Sequence, residues 1–217
     1  MPSSNYLLIK QQITEIAEKY GRNPSDICLV AVTKGHTWDE IFPLYTAGQR
    51  IFGESRQQEA EPKIALAPID TCWHFIGTLQ QNKVRKIIGK FALIHSVDTP
   101  GLAQKISACS QEAGVVTELL LQVNISGELS KHGLGIDAWQ RELEKVLCLP
   151  AISVMGMMTM APFEGNEKTV RNCFSRLREF RDSLGIELPY LSMGMSRDFP
   201  WAIAEGATHL RIGSALF

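Results

Sequence analysis

The sequence has 217 residues, of which 45% are hydrophobic, which is enough for the core of an ordinary globular domain. Its 22 Lys and Arg residues nearly balance its 23 Asp and Glu residues. The resulting net charge of −1 argues against a protein that coats nucleic acid or binds an anionic membrane surface. The five cysteines are widely spaced without a CxxC pair, so we expect no disulfide framework, no metal site and a reducing, cytoplasmic location.

Residues 1–20 mix charged and apolar side chains at helical spacing, so they predict an amphipathic helix that stops at Gly21 rather than a signal peptide. Short apolar runs rich in β-branched residues then predict eight strands. These strands cover residues 27–33, 50–52, 72–76, 92–97, 117–124, 152–158, 189–192 and 209–212. Helical patterns occupy the gaps at residues 38–47, 57–66, 80–89, 100–113, 137–147, 166–184 and 199–205.

This alternation predicts an α/β fold with a parallel sheet covered by helices. An even number of eight strands favours a single closed (β/α)8 barrel of the TIM type with an extra N-terminal helix, and a doubly wound open sheet is the alternative. We expect residues 1–217 to form one domain, because no linker or low-complexity segment interrupts the pattern.

Lys34 follows the first predicted strand, and the active sites of such barrels lie where the strands end. We expect its amine to be partly desolvated at the barrel mouth, which would lower its pKa and favour reaction with an aldehyde or ketone. The competing interpretation is a lysine that extends from a strand end into solvent.

Glycine and serine are frequent after strands seven and eight, in LSMGMSRD (residues 191–198) and HLRIGSA (residues 209–215). Barrels often bind phosphate in these two loops. Ser196 is a candidate N-cap for the last helix, and Gly213 and Ser214 could supply further donors to an anion. Ordinary turn chemistry explains each loop equally well, but both loops together with Lys34 indicate a phosphorylated carbonyl ligand.

Arg211 lies inside the last predicted strand. A buried guanidinium needs a partner, so we expect it to meet a carboxylate or an electron-rich ligand atom. If that atom is a pyridine nitrogen, the guanidinium can only donate a hydrogen bond and would keep the nitrogen unprotonated.

Several strings along almost the whole chain resemble one known family, the pyridoxal-phosphate homeostasis proteins, which are relatives of the N-terminal barrel of alanine racemase. The strings are LVAVTK (29–34), FGESRQQE (52–59), WHFIGTLQQNK (73–83), HSVD (95–98), QVNISGELSKHG (122–133), MGMMTMAP (155–162), LSMGMSRD (191–198) and LRIGSALF (210–217).

The resemblance implies that Lys34 forms a covalent aldimine with pyridoxal 5′-phosphate and that Arg211 faces the pyridine nitrogen. It places four residues around the phosphate: Ser192, Ser196, Gly213 and Ser214.

Ser55 stands where the family usually has asparagine and offers one hydroxyl in place of an amide. His74 is a further candidate contact, with a hydrogen-bonded core histidine as the alternative. Lys131 and His132 lie in the loop after strand five. We expect them either to stabilise this loop or to contact the ligand or a partner.

The function that the resemblance implies is non-catalytic binding of pyridoxal 5′-phosphate in intracellular cofactor homeostasis, by buffering or delivery of the aldehyde, with effects on amino-acid and keto-acid balance. The sequence lacks the second domain of alanine racemase, so we expect a monomer whose possible partners are apoenzymes that receive the cofactor. The alternatives are a pyridoxal-phosphate-dependent amino-acid racemase or decarboxylase, a Schiff-base aldolase that uses Lys34, and a regulatory binding module.

Overall fold

The structure, a computed structural model, describes residues 2–128 and 132–217. Eight parallel strands form a closed barrel in the order β1-β2-β3-β4-β5-β6-β7-β8, and β8 pairs with β1. This closure confirms the predicted (β/α)8 barrel and excludes the open sheet. The described part of the chain contains no helix that is both long and apolar enough to cross a membrane.

The strands agree with the eight predicted ones to within a few residues. They are β1 Cys28–Val32, β2 Ile51–Glu54, β3 Cys72–Phe75, β4 Leu93–Val97, β5 Thr117–Gln122, β6 Ile152–Met158, β7 Tyr190–Met195 and β8 His209–Ile212. Strand β5 ends at Gln122, two residues before its predicted end, whereas β2 extends two residues further to Glu54 and β7 three residues further to Met195. Both extensions carry the strand further towards the mouth of the barrel.

The helices around the barrel are α1 Pro2–Lys19, α2 Trp38–Thr46, α3 Gln57–Leu66, α4 Val84–Ile87, α5 Pro100–Ala113, α6 Ile136–Leu147, α7 Glu167–Ser183 and α8 Phe199–Ala204. The extra N-terminal helix is confirmed as α1. The single helix predicted over residues 80–89 is wrong. This segment is a 3-10 turn, Gln81–Lys83, followed by one turn of α-helix that ends where Ile88 is extended and Gly89 has a φ of 76°.

Alternate residues of each strand face the helices and the barrel interior. In β1, Leu29 and Ala31 belong to the large hydrophobic cluster that the strands share with the helices. Val30 lies between them, pairs in register with Arg211 of β8, and faces the interior with it. The interior of such a barrel is normally filled by bulky branched side chains. The layer that contains Val30 and Arg211 is therefore unusual, because it includes a buried charged side chain.

The loops that follow β2 and β3 approach each other closely at Gly77. A Cβ atom on Gly77 would lie 2.2 Å from the carbonyl oxygen of Ser55, which is backbone and cannot rotate away. Only glycine permits this approach. The contact fixes the backbone of Ser55 at the same edge of the barrel as the end of β1.

Candidate functional site

Lys34 lies at the mouth of the barrel, two residues beyond the end of β1. Thr33 is fully buried, whereas Lys34 and Gly35 form an exposed turn. The structure favours the competing interpretation of a lysine exposed at the end of a strand, because Lys34 lies in an exposed turn next to the buried Thr33. Its amine is accessible from outside the protein.

The loop after β7 and the loop after β8 meet at Ser196. The Ser196 hydroxyl oxygen accepts hydrogen bonds from the backbone N–H groups of Gly213 and Ala215, each at 3.3 Å. Gly213 also packs against β1, since an added Cβ would lie 3.3 Å from Cβ of Val32. We call Ser196, Gly213 and Ala215 the cradle. The cradle and Lys34 therefore occupy one edge of the barrel, as the sequence predicted.

The N-cap of α8 is Asp198 and not Ser196, so that prediction is wrong. The Asp198 carboxylate accepts a hydrogen bond from the Met195 N–H at 2.6 Å, and the Ser196 side chain turns instead towards the loop after β8. Burial raises the pKa of Asp198, against the opposing effects of the Met195 N–H and the positive charge of Arg211.

A continuous row of buried polar side chains crosses the barrel interior beneath this edge. His74 Nδ1 lies 3.0 Å from His95 Nε2, and His95 Nδ1 lies 2.7 Å from the Ser192 hydroxyl. Arg211 donates from Nη1 to the same hydroxyl at 2.5 Å and from Nη2 to the Thr159 carbonyl at 2.9 Å. We call His74, His95, Ser192 and Arg211 the polar row. Arg211 thus meets a hydroxyl and a carbonyl, where the sequence predicted a carboxylate or a ligand atom.

The direction of the hydrogen bonds along the polar row follows from its donors. Arginine can only donate, so the Ser192 oxygen accepts from Arg211 and keeps its own proton to donate to His95 Nδ1. His95 then carries its proton on Nε2 and donates it to His74 Nδ1. In this assignment every member of the row is neutral except Arg211.

Burial keeps the histidines of the interior uncharged near pH 7. It lowers the pKa of His74 to about 3 and that of His95 well below its usual range, and the nearby histidines act in the same direction. His209, whose ring centroid lies 5.9 Å from that of His74, has a pKa of about 4 because of burial and the charge of Arg211. Burial also lowers the pKa of Arg211 to about 10, which still leaves it charged.

The other residues that the sequence analysis named as candidate contacts lie in different parts of the barrel. Ser192 is fully buried in the polar row rather than in the cradle, and His74 bonds to His95 in that row. Ser214 is exposed in the turn beside Gly213. Ser55 is half-buried, and its hydroxyl forms no hydrogen bond to any residue that the structure describes.

The loop after β5 contacts the loop after β4. His132 Nδ1 lies 3.2 Å from the Asp98 carboxylate, which favours a role in loop structure. Lys131 lies outside the described residues. Within residues 2–128 and 132–217, no group of His, Cys, Asp and Glu side chains is arranged to hold a metal ion.

Four buried residues next to the site were not predicted from the sequence: Glu54, Lys63, His95 and His209. A signal existed for His209, because it lies two residues before Arg211 on the same strand and therefore faces the interior with it. Glu54 was missed because the predicted second strand ended at Phe52. No sequence signal marked Lys63, since lysines on helices are mostly exposed.

A family model described as the N-terminal domain of alanine racemase matches residues 7–217. The pyridoxal phosphate homeostasis protein of Aquifex aeolicus is 40% identical over 214 residues, which are 96% of this chain and 94% of that protein. The corresponding protein of Pseudomonas aeruginosa is 39% identical over 216 residues, which are 99% of this chain and 94% of its own length. The chain belongs to the pyridoxal phosphate homeostasis protein family. The resemblance predicted from the sequence is thereby confirmed.

Solved structures related to this family have the same barrel. One is PipY of Synechococcus elongatus with pyridoxal phosphate bound, with a TM-score of 0.84, 37% identity, and coverage of 94% of this chain and 99% of that chain. Another, an unknown protein from Bifidobacterium adolescentis, has a TM-score of 0.91 at 34% identity and covers 100% of this chain and 94% of that one. Alanine racemase of Clostridium difficile has a TM-score of 0.75 at 14% identity, with coverage of 99% of this chain and 56% of its own, and shares the fold alone.

The buried histidines make the stability of this family member depend on pH. Because the pKa of His209 is about 4 in the folded protein and about 6.5 in an unfolded chain, the unfolded state binds more protons between these values. The free energy of unfolding should therefore be highest above pH 6.5 and fall as the pH decreases towards 4. His209→Asn should flatten this dependence by up to about 1.4 kcal/mol per pH unit.

Denaturant unfolding at several pH values between 7 and 4 measures this slope. Gln140→Ala, which changes an exposed side chain that does not titrate, is the control and should keep the wild-type slope. Identical slopes for His209→Asn and the wild type would show that His209 titrates alike in the folded and unfolded states.

Proposed function

We propose that the protein binds pyridoxal 5′-phosphate and acts in intracellular homeostasis of this cofactor, holding or delivering the aldehyde without turnover of an amino acid. The observation that carries the proposal is the placement of an accessible lysine and a pair of convergent backbone donors at one edge of the barrel. Membership of a family in which PipY has been solved with pyridoxal phosphate bound supports the same ligand.

The cradle fits a phosphate group. The N–H groups of Gly213 and Ala215 already converge on one oxygen atom, that of Ser196, so they are spaced to bind a single phosphate oxygen. The Ser196 hydroxyl can rotate to donate a hydrogen bond of its own, and hydrogen bonds to an anion are stronger than those between neutral groups. Arg211 contributes a positive charge beneath this edge.

Lys34 would supply the amine that binds the aldehyde, and its exposure leaves this amine open to a ligand that enters from solvent. The cofactor, when bound, supplies a reactive aldehyde on an electron-withdrawing ring. Four further residues remain candidate contacts to the ring and phosphate: Ser55, His74, Ser192 and Ser214. Arg211 is proposed to face the ring nitrogen, to which it could only donate a hydrogen bond.

The electrostatics of the interior support binding rather than turnover. Racemisation or decarboxylation of an amino acid requires groups that accept and return protons near neutral pH. The pKa values of about 3 for His74 and about 4 for His209 make both side chains weak bases, and Arg211 cannot accept a proton. These groups would therefore orient a ligand and not move protons for it.

The remaining aspects of the proposal concern the cell. We place the protein in the cytoplasm as a monomer, with apoenzymes that require vitamin B6 as recipients of the cofactor. The structure describes all five cysteines and joins none of them in a disulfide bond, as a reducing compartment would keep them. Residues 1–217 are proposed to act as one binding domain, since the barrel includes strands from both halves of the chain.

Lys34 should carry the cofactor covalently. Borohydride reduction of the protein after incubation with pyridoxal 5′-phosphate should leave a pyridoxyl group on Lys34, located by peptide mapping, and Lys34→Ala should abolish the labelling. Lys86→Ala, at an exposed basic turn, should be labelled as fully as the wild type. Specific labelling of a lysine other than Lys34 would contradict the assignment.

Ser196→Ala should weaken binding of pyridoxal 5′-phosphate by about 1 to 2 kcal/mol, a factor of roughly 5 to 30, because a charge-assisted hydrogen bond is lost. A spectroscopic titration measures the two affinities. Ser175→Ala removes an exposed hydroxyl on α7 and should leave the affinity unchanged. Equal affinities for Ser196→Ala and the wild type would rule out a contact between this hydroxyl and the phosphate.

Amino acids should not undergo α-proton exchange on the loaded protein. We expect L-alanine in deuterated water, followed by NMR, to exchange no faster than with free pyridoxal 5′-phosphate at the same concentration. The Lys34→Ala variant serves as the matched background. Exchange that is much faster with the wild type than with both references would place the protein among the enzymes.

A further inference from the structure

Helix α3 holds the backbone on both sides of Lys34. The Lys63 ammonium donates to the Thr33 carbonyl at 2.7 Å, and the Glu59 carboxylate accepts from the Gly35 N–H at 3.4 Å. Glu59 and Lys63 lie four residues apart, so they project from the same face of α3. One helix face thus contacts the residue before Lys34 and the residue after it.

A buried ion pair supports this arrangement. Lys63 Nζ lies 2.6 Å from the Glu54 carboxylate, and the two side chains are 6% and 0% exposed. The Thr33 hydroxyl donates to the same carboxylate oxygen, Oε1, at 2.5 Å. The second oxygen of Glu54, Oε2, is buried and has no hydrogen-bond partner among the residues that the structure describes.

The stability of the barrel does not account for this ion pair. Taking a carboxylate and an ammonium out of water carries a desolvation penalty that can exceed their attraction, and well-packed apolar side chains are often at least as stabilising in the same place. The neighbouring core positions Phe52 and Ala60 are apolar. What distinguishes the Glu54 site is its position beneath the turn that carries Lys34.

That turn needs external support, because Lys34 itself is exposed and its side chain can adopt many rotamers. Gly35 has a φ of 80°, a conformation in which its own backbone does not extend β1 or begin α2. Fixing the flanking backbone therefore restricts the region of space in which the Lys34 amine is found.

We propose that Glu54, Glu59 and Lys63 are positioning residues that hold the Lys34 amine where the aldehyde of the ligand arrives. This inference rests on the proposed function. In the step that they assist, the neutral Lys34 amine condenses with the aldehyde, a carbon–nitrogen double bond forms, and the aldehyde oxygen leaves with the two amine protons as one water molecule. Preorganisation accelerates and favours such a step because less freedom is lost when the bond forms.

The test compares two ligands that differ only at the reacting carbon. Pyridoxal 5′-phosphate carries the aldehyde, whereas 4′-deoxypyridoxine 5′-phosphate has the same ring and phosphate with a methyl group in place of the aldehyde.

In the double variant Glu54→Met with Lys63→Met, both charges are removed together, so neither is left buried alone. We expect its affinity for pyridoxal 5′-phosphate to fall by about tenfold or more and borohydride trapping at Lys34 to slow in parallel. Affinity for the analogue should change by less than about twofold, because it makes no bond to Lys34.

The matched control is Glu61→Met with Lys90→Met, which removes an exposed ion pair between α3 and the turn after α4. This control should bind both ligands as the wild type does. Thermal unfolding reports whether each variant is folded. If the double variant does not fold, Glu59→Ala decides instead, since this side chain is only partly buried and its loss should lower the affinity for pyridoxal 5′-phosphate alone.

Each outcome has a distinct meaning. An equal loss of affinity for both ligands would indicate a general structural defect and overturn the positioning role. Unchanged affinity for pyridoxal 5′-phosphate in the folded variants would overturn it as well. Failure of the wild-type protein to bind either ligand would instead contradict the proposed function, and the inference that rests on it would fall for that separate reason.

Discussion

A guanidinium buried inside the barrel determines much of what surrounds it. In the described part of the chain, Arg211 has no carboxylate within ion-pair distance, and its charge is stabilised by the Ser192 hydroxyl and the Thr159 carbonyl. Because Ser192 must accept from Arg211, its proton turns to His95, and the protonation of both histidines in the row follows. Burial lowers the pKa of His209 and of His95, and the positive charge of Arg211 acts in the same direction, so neither histidine adds a second positive charge near neutral pH.

The site depends on connections between elements that are distant in sequence. The polar row takes residues from β3, β4, β7 and β8, and the cradle joins the loops after β7 and β8. The closed order of strands places β8 beside β1, so the cradle lies next to the turn that carries Lys34. Helix α3 then reaches that turn from outside the barrel through Lys63. The backbone of the site is supported by strands and by the helix packed on them.

The barrel was predictable because its pattern is local: each strand is a short apolar run, and the glycines mark where the segments stop. Lys34, Arg211 and the glycine-rich loops were predictable because position within a barrel assigns them to one edge. Side-chain partners were not. The sequence gives no means of knowing that Ser196 faces Gly213 rather than capping α8, since both arrangements satisfy its hydroxyl. Nor does periodicity identify a buried lysine such as Lys63, whose burial depends on meeting Glu54 across two elements.

The hydrogen bonds within the cradle have a consequence for how readily a ligand leaves. With its two N–H donors already directed at the Ser196 oxygen, the cradle is satisfied without a ligand, and the proposed phosphate would take over these donors while the Ser196 hydroxyl turns to donate to it. The same hydroxyl can resume its place when the anion departs, so the donors are not left unsatisfied. Loading and unloading of the proposed ligand would therefore exchange one set of hydrogen bonds for another, which suits a reversible reservoir better than a permanent store.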